Sequence, residues 1–231
     1  KIIKVSSTRA AEMTKLLENT FRATNIGLIN EMAIICEKLE IDIWEIIEAA
    51  KTKPYGFMPF YPGPGLGGHC IPIDPRYLDW KLQTLNSESK YIKLSEEINF
   101  AMPHYVLSRI KNIKVKNKLK NNPLIVFGVS YKPNVSDIRE SPAIDLLQLL
   151  YEENINFIYN DPYVKTLNIN GRMYHSEPIN DKLLQESDLG IITTDHANYN
   201  WEYITNNLNY IFDTRNALRN TKAKKSKIYK L

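Results

Sequence analysis

Cysteine is scarce in this sequence, because the 231 residues include only Cys36 and Cys70. Two cysteines do not make the disulfide framework of a small secreted domain, so the composition predicts a reducing, cytoplasmic setting. No apolar run approaches the roughly 20 residues that span a bilayer. The N-terminal residues also lack the pattern of a signal peptide. We therefore expect no membrane partner.

A strong charge of one sign is lacking outside the last residues. The net charge is +4, but residues 219–231 hold six cations and no acid, which leaves 24 basic against 26 acidic residues elsewhere. We expect a basic, solvated tail at residues 219–231. No recognisable motif accompanies this charge, so a nucleic-acid partner is not expected.

Strand signals are absent from the first 120 residues, where apolar side chains recur at helical spacing. Helices are predicted at residues 8–39, 43–50, 74–85 and 91–119. The helix at 8–39 carries apolar residues on more than one face, so we expect it to be buried on several sides or shared with a partner subunit. The sequence thus predicts an all-helical domain at residues 1–120, with a homodimer formed through its long helix.

The pattern changes at Asn122-Pro123, after which short apolar runs alternate with helices. Strands are predicted at 124–129, 155–159, 189–193 and 210–213, with helices at 142–150 and 183–187. This order predicts a Rossmann-like parallel α/β domain at residues 121–218, whose ligands lie beyond the carboxyl ends of the strands. The dinucleotide fingerprint G-x-G-x-x-G is missing after its first strand.

One loop, residues 62–75, reads PGPGLGGHCIPIDP and holds four of the nine glycines. Glycine and proline at this density cannot continue a helix, and glycines let a backbone approach a ligand closely. Cys70 in this loop is a candidate nucleophile, and the alternative is a tight turn around an inert thiol. Asp74 follows four residues later.

The four histidines show no metal-ligand spacing, so no metal site is predicted. His69 beside Cys70 raises the alternative of a thiol hydrolase. However, adjacent residues in an extended loop point apart, which disfavours a Cys–His dyad. We expect His196 to hold a loop in place.

Several separate motifs occur in one order. They are residues 11–22 with Asn30-Glu31, the Gly-Gly-His-Cys loop, Tyr131-Lys132-Pro133-Asn134, and residues 137–142. Together they resemble the UDP-glucose/GDP-mannose dehydrogenase family, over about residues 5–215. Residues 52–62 are similar to its UDP-N-acetylglucosamine 6-dehydrogenase branch.

The resemblance implies a two-step, NAD-dependent oxidation of the C6 alcohol of a nucleotide sugar, in the service of polysaccharide synthesis. It implies that Cys70 is the nucleophile, that Lys15 and Asn19 stabilise the oxyanion, and that Asp74 assists proton transfer. Contacts to the UDP-sugar are implied for Tyr61, Pro62, Gly63, Gly65, Leu66, Gly67, Tyr131, Lys132 and Arg215. Arg139 matches a contact to the NAD phosphates.

Two features depart from the family pattern. The family begins with an NAD-binding domain that this sequence does not show, so the chain is expected to be the helical and UDP-binding part of a longer enzyme. Many family members offer an Arg to the neighbouring subunit shortly before the Gly-rich loop, but this region holds Lys51 and Lys53 and no Arg, so the resemblance does not supply that contact. A non-catalytic UDP-sugar-binding and dimerisation module stays open as an alternative, as does the same chemistry on UDP-glucose or UDP-N-acetylmannosamine.

Overall fold

Four helices occupy the first half of the chain in the computed structural model, which describes residues 2–222 and 225–231. They are α1 (Thr8–Lys38), α2 (Ile43–Ala50), α3 (Asp74–Gln83) and α4 (Lys90–Lys116). The Ser7 side chain caps α1 by accepting from the Ala10 N–H, and Asp42 caps α2 by accepting from the Trp44 N–H. Residues 2–120 contain no strand, which confirms the predicted all-helical character of this half.

The buried side of α1 is lined mostly by small and polar residues. It includes Asn19, Ala23, Gly27, Asn30 and Ala33. A Cβ added at Gly27 would lie 3.2 Å from the Ser95 Cβ of α4, so the two helices approach closely there. Ile29 is buried with them, whereas Met13, Leu17, Phe21, Leu28 and Ile35 are exposed.

The second half forms a five-stranded sheet, a two-stranded hairpin and three helices. The sheet contains β1 (Leu124–Phe127), β2 (Phe157–Asn160), β5 (Gly190–Ile192), β6 (Tyr210–Asp213) and β7 (Lys227–Lys230). The hairpin is β3 (Thr166–Ile169) with β4 (Arg172–His175), and the helices are α5 (Pro142–Glu152), α6 (Asp181–Gln185) and α7 (Trp201–Asn207). The sheet order is β2-β1-β5-β6-β7 with all neighbours parallel, which confirms the predicted α/β fold.

Strand β1 lies between β2 and β5, with Val126 opposite both Tyr159 and Ile191. Because all five strands run the same way, their carboxyl ends lie at one edge of the sheet. The loops that follow β1, β2, β5 and β6 therefore lie side by side, and such an edge is where open parallel sheets bind ligands.

Helix α4 joins the two halves. Its residues Met102, Val106 and Ile110 are buried in one core cluster with side chains of α5 and the sheet. Asn99, one turn earlier, instead donates to the carbonyl oxygen of Ala23 in α1. The opposite face of the sheet is covered by a second cluster that includes Leu184 of α6 and Ile204 of α7.

The prediction of a solvated tail at residues 219–231 is wrong for its last five residues. Strand β7 pairs in parallel with β6, and Leu231 is buried in the core. The lysines around Ile228, Tyr229 and Leu231 make this segment resemble a solvated tail. Lysines are nevertheless common on edge strands, because they oppose further strand pairing. Lys224, one of the six cations, lies outside the described residues. The hairpin and α7 were not predicted.

Candidate active site

The Gly-rich loop lies across the junction of the two domains. Gly68 donates its N–H to the carbonyl oxygen of Arg139 over 3.3 Å. A Cβ at Gly67 would come within 2.9 Å of Tyr131 and 3.0 Å of Pro142, and one at Gly65 within 2.8 Å of Pro142. The predicted loop therefore fits against the residues that follow β1 and begin α5, with no space for side chains at these glycines.

The C-terminal end of the loop presents the thiol. Cys70 is exposed, and its carbonyl oxygen accepts N–H groups from Ile73 at 3.2 Å and Asp74 at 2.8 Å, which forms the turn into α3. The buried Asn19 donates its amide Nδ2 to Oδ2 of Asp74 over 2.5 Å. Three of the four predicted catalytic residues are thus linked through one turn.

Lys15 stands one helical turn before Asn19 on α1, about 6 Å along the axis. Its ammonium lies 3.5 Å from the Glu18 carboxylate and its side chain is 57% exposed. In this structure Lys15 pairs with Glu18, on the turn of α1 next to the Asn19–Asp74 pair.

Arg139, predicted to contact NAD, is held by Asp137. The Arg139 guanidinium donates from Nε over 3.0 and 3.1 Å and from Nη2 over 2.6 Å to the Asp137 carboxylate. This pairing lowers the pKa of Asp137 to about 2 and raises the pKa of Arg139, with Tyr131 and Cys70 adding smaller contributions to the latter. Because the Arg139 carbonyl oxygen accepts the Gly68 N–H, Arg139 lies beside the C-terminal part of the loop.

Tyr131 and Lys132 lie near Gly67 and Gly68 of the loop. The Tyr131 ring would be 3.0 Å from a Cβ at Gly68, whose φ of +99° is one that glycine adopts readily. The exposed Lys132 ammonium lies 5.3 Å from the centroid of the Tyr131 ring.

The N-terminal end of the loop meets a different cation. Arg215 follows β6, and its Nε donates to the Thr193 carbonyl oxygen over 2.9 Å. Burial lowers the pKa of Arg215, and the nearby carboxylates of Asp195 and Asp213 oppose that effect. Gly63 abuts the guanidinium, since a Cβ there would overlap Nη1. In the described part of the chain, the Nη atoms of Arg215 make no hydrogen bond.

Arg215 opens onto a cleft of about 550 Å³ between the two domains. Tyr61 and Pro62 line the cleft, and the Tyr61 ring stacks on Trp44 of α2 with centroids 6.1 Å apart. Lys51, from the region where the family pattern has an Arg, also lines the cleft. Leu66 lies elsewhere, beside Gly65 in a narrow cavity under the loop.

The edge of the sheet at β1 does not fit a dinucleotide. Asp161 Oδ2 accepts the N–H groups of Val129 over 2.7 Å and Ser130 over 3.3 Å, the donors that a phosphate would need. His196 donates Nε2–H to the same oxygen over 3.0 Å and accepts the Asn134 N–H at Nδ1, which confirms that it holds a loop. A Cβ at Gly128 would overlap the Thr194 carbonyl oxygen, so no ligand can approach there.

Sequence reasoning missed three residues that shape the site: Asn30, Trp44 and Asp137. Asn30 belongs to the Asn30-Glu31 motif, and it lies eleven residues after Asn19, which places both on one face of a helix. Asp137 lies two residues before Arg139, a spacing that permits pairing across a turn. The position of Trp44 depends on distant parts of the chain, and no local signal marks it.

Among residues 2–222 and 225–231, no group of three or more His, Cys, Asp and Glu side chains could hold a metal ion. Over the same residues, no helix is both long enough and apolar enough to cross a membrane.

Fold and site define an α/β protein with an exposed thiol loop clamped between a helical domain and a parallel sheet. Residues 9–101 match the central domain of the UDP-glucose/GDP-mannose dehydrogenase family, and residues 125–220 match the UDP binding domain of that family. The chain belongs to the UDP-glucose/GDP-mannose dehydrogenase family, as the sequence motifs predicted.

Individual relatives support this family membership. An NDP-N-acetyl-D-galactosaminuronic acid dehydrogenase of Ralstonia nicotianae is 34% identical over 197 residues, covering 84% of this chain and 45% of its own length. A UDP-N-acetyl-D-mannosamine dehydrogenase of Methanocaldococcus jannaschii is 38% identical over 199 residues, or 85% and 43% of the two chains. The solved UDP-N-acetyl-mannosamine dehydrogenase of S. aureus superposes with a TM-score of 0.79 at 36% identity, over 97% and 51% of the two chains. The chain thus spans about half the length of these relatives.

Proposed function

We propose that this chain provides the thiol and the substrate-binding half of a UDP-sugar 6-dehydrogenase, which oxidises the C6 alcohol to a carboxylate. The observation that carries the proposal is the exposed Cys70 on the glycine loop, one turn from the Asn19–Asp74 pair. A lone inert thiol would not need a buried amide and a carboxylate beside it.

In the proposed reaction, the first oxidation gives the C6 aldehyde. The Cys70 thiol adds across its carbonyl, so that a C–S bond forms and the thiol proton ends on oxygen as a thiohemiacetal. The second oxidation removes a hydride and that proton to leave a thioester, which water cleaves to the carboxylate and the free thiol. Lys15 and Asn19 stabilise the negative oxygen, and each well-placed donor contributes about 3 kcal/mol. Asp74 accepts the water proton.

The hydride acceptor in this family is NAD, which accepts one hydride at each oxidation when bound. The β1 edge does not fit that group, because the Asp161 carboxylate already accepts the backbone N–H groups that would bind a phosphate there. Arg139 is the cation of this chain that we assign to its phosphates, since a guanidinium suits such an anion. Asp137 holds that guanidinium through a hydrogen bond from Nη2.

The UDP-sugar is proposed to lie along the loop from Arg215 to Cys70. Among the described residues, neither Nη atom of Arg215 has a hydrogen-bond partner, and Arg215 lines a cleft with Tyr61 and Pro62, which suits a charged phosphate and a flat base. The backbone of Gly63, Gly65, Leu66 and Gly67 faces the sugar. Lys132, beside Tyr131, supplies a further cation.

We assign an N-acetylated hexosamine as the sugar. The relatives at 34–38% identity are named for N-acetylated sugars, while residues 52–62 favour UDP-N-acetylglucosamine. UDP-N-acetylmannosamine, UDP-N-acetylgalactosamine and UDP-glucose are therefore tested beside UDP-N-acetylglucosamine.

Calorimetric titration of the purified chain tests the binding half. We expect UDP and at least one UDP-N-acetylhexosamine to bind, and Arg215→Gln to weaken both by about tenfold or more, because a charge-assisted pair is lost. Arg172→Gln on β4 is the matched control and should bind like the wild type. We also expect no NADH formation from NAD by this chain, and steady turnover would contradict the assignment of the acceptor site.

Alkylation tests the thiol. The C6-aldehyde form of the UDP-sugar should slow iodoacetamide labelling of Cys70 more than the alcohol form does. A thiol adds to an aldehyde carbonyl but not to an alcohol. Cys36 is the internal control, since it is buried and should be labelled only after unfolding. Intact-mass measurement counts the labels, and equal protection by aldehyde and alcohol would contradict the nucleophile assignment.

The competing function is a UDP-sugar-binding and dimerisation module without catalysis, and the filled β1 edge is compatible with both functions. Such a module binds the same ligands, but its Cys70 gains no protection from the aldehyde. The alkylation experiment therefore separates the two functions.

For assembly, we propose a homodimer through α1. Leu17, Phe21, Leu28 and Ile35 of this helix are exposed, and burial of each large apolar side chain contributes about 1.5–3 kcal/mol. Phe21, Leu28 and Ile35 recur every seven residues, a spacing that suits a second helix alongside.

A further inference from the structure

Two buried asparagines hold the N-terminal end of the Gly-rich loop, and the proposed chemistry does not use either of them. We propose that Asn30, oriented by Asn99, is a positioning residue that sets the loop backbone for the sugar of the bound UDP-sugar. This inference rests on the proposed function.

Three hydrogen bonds form a chain that runs in one direction, from the Gly63 N–H through Asn30 and Asn99 to the Ala23 carbonyl oxygen, and this chain is called the relay below. Asn99 of α4 donates Nδ2 to the Ala23 carbonyl oxygen over 3.1 Å, so its Oδ1 faces Asn30. Asn30 of α1 must then present Nδ2 to that oxygen, at 2.9 Å. Its own Oδ1 is left to accept the Gly63 N–H over 3.0 Å. The helical carbonyl of Ala23 can only accept, and it therefore fixes the orientation of both amides.

Burial makes this relay specific. Asn30 is 0% exposed and Asn99 is 5% exposed, so an unmade hydrogen bond at either residue is not replaced by water. The loop segment at Gly63 is buried as well, and Asn30 is the side chain that accepts its N–H. Without Asn30, the Gly63 donor would be left unpaired and the loop would shift to reach another acceptor.

The relay ends at the site. Gly63 abuts the guanidinium of Arg215, so Asn30 fixes the distance between the loop and the cation of the sheet domain. Arg215 has a second support, the Thr193 carbonyl oxygen. Loss of Asn30 should therefore disturb the loop, and hence the sugar, more than the phosphate contact of Arg215.

The test compares UDP with the tighter of UDP-N-acetylglucosamine and UDP-N-acetylmannosamine, by calorimetry on the whole chain. In Asn30→Ala, affinity for the UDP-sugar should fall about tenfold while affinity for UDP changes less than about threefold, as expected for one lost buried hydrogen bond. Asn30→Asp keeps an oxygen facing the Gly63 N–H. It should retain most of the sugar-dependent affinity even though a buried carboxylate destabilises the fold.

Asn117→Ala is the matched control. Asn117 is an asparagine at the end of α4 whose amide bonds the Tyr229 hydroxyl on β7, remote from the loop. This variant should melt at a lower temperature with both affinities unchanged. If Asn30→Ala weakens both ligands equally, or if affinity simply follows melting temperature across all variants, the positioning role is overturned.

Hydrogen exchange gives a readout without ligand. The Gly63 amide, which donates to Asn30, should exchange slowly in the wild type and at least about tenfold faster in Asn30→Ala, whereas Asn117→Ala should leave its exchange unchanged. A wild type that binds no UDP ligand would overturn the proposed function, and the exchange rates would still decide whether Asn30 holds the loop. Unchanged exchange in Asn30→Ala overturns the inference whatever the ligand result.

Discussion

Replacement of Gly63 by alanine tests how closely the loop and the sheet domain are joined. Gly63 does not adopt a positive φ, so the strain in Gly63→Ala comes from contact alone. The new Cβ would overlap Nη1 of Arg215 and lie 3.0 Å from its Cζ. The guanidinium cannot retreat freely, because its Nε is bonded to the Thr193 carbonyl oxygen at 2.9 Å.

The expected cost follows from that bond. A hydrogen bond from a charged donor contributes about 1.5–3 kcal/mol, and it is lost or bent when the guanidinium moves. Alanine also restricts the unfolded chain, which stabilises the folded state by about 0.4–1 kcal/mol. The free energy of unfolding of Gly63→Ala should therefore fall by about 1–2 kcal/mol, or about 3–6 °C in melting temperature for a chain of this size. Affinity for UDP should fall about tenfold, because the Nη atoms leave their place.

Denaturant melts and calorimetric titration with UDP measure both effects. Gly171→Ala is the control: its φ is +84° and nothing lies within 4 Å of the added Cβ. This variant should lose about 1 kcal/mol through backbone strain and bind UDP normally. If Gly63→Ala binds UDP like the wild type, either the Arg215 guanidinium moves without affecting UDP or it does not contact UDP. Either result refutes the proposed link between Gly63, Arg215 and the ligand.

Two further predictions concern the buried carboxylate and assembly. Burial raises the pKa of Asp161, but the hydrogen bonds from His196 and from backbone N–H groups outweigh it, so the net pKa lies below its ordinary 3.8. Its stabilisation is thus complete above pH 3.8 and lost as the pH falls further. Asp161→Asn should lower the free energy of unfolding by about 3 kcal/mol near pH 7 and remove this part of the acid dependence in denaturant melts. For assembly, light scattering should give twice the 26.8 kDa chain mass for the wild type and for Leu85→Glu, and the monomer mass for Leu28→Glu on α1; a monomeric wild type would contradict the dimer.

Local pattern predicted the elements whose apolar periodicity is complete. Helix α2 and strand β6 match their predicted bounds, because each is a short apolar segment ended by clear signals. The hairpin escaped notice although Asn170-Gly171 is a strong turn signal, since its flanking strands are short and polar. Strand β7 escaped because its lysines resemble a disordered tail.

The contacts in the site also differ in how far the sequence predicts them. Cys70 and Asp74 belong to one sequence segment, so their proximity follows from a turn and was predictable. The pairing of Asn19 with Asp74 required a family resemblance, since 55 residues separate them. The contact of Gly63 with Arg215 depends on how the sheet domain lies against the helices, and no motif encodes that arrangement locally.

The glycines of the loop acquire a different meaning once the domains are seen together. A glycine-rich loop is easily interpreted as a mobile one. Here a Cβ at Gly63, Gly65 or Gly67 would come within 3 Å of atoms from the other domain. These glycines are required because two surfaces approach the backbone closely. The loop is therefore a fixed spacer between Arg215 and Cys70, and the separation of cation and thiol is set by how α4 holds the two domains.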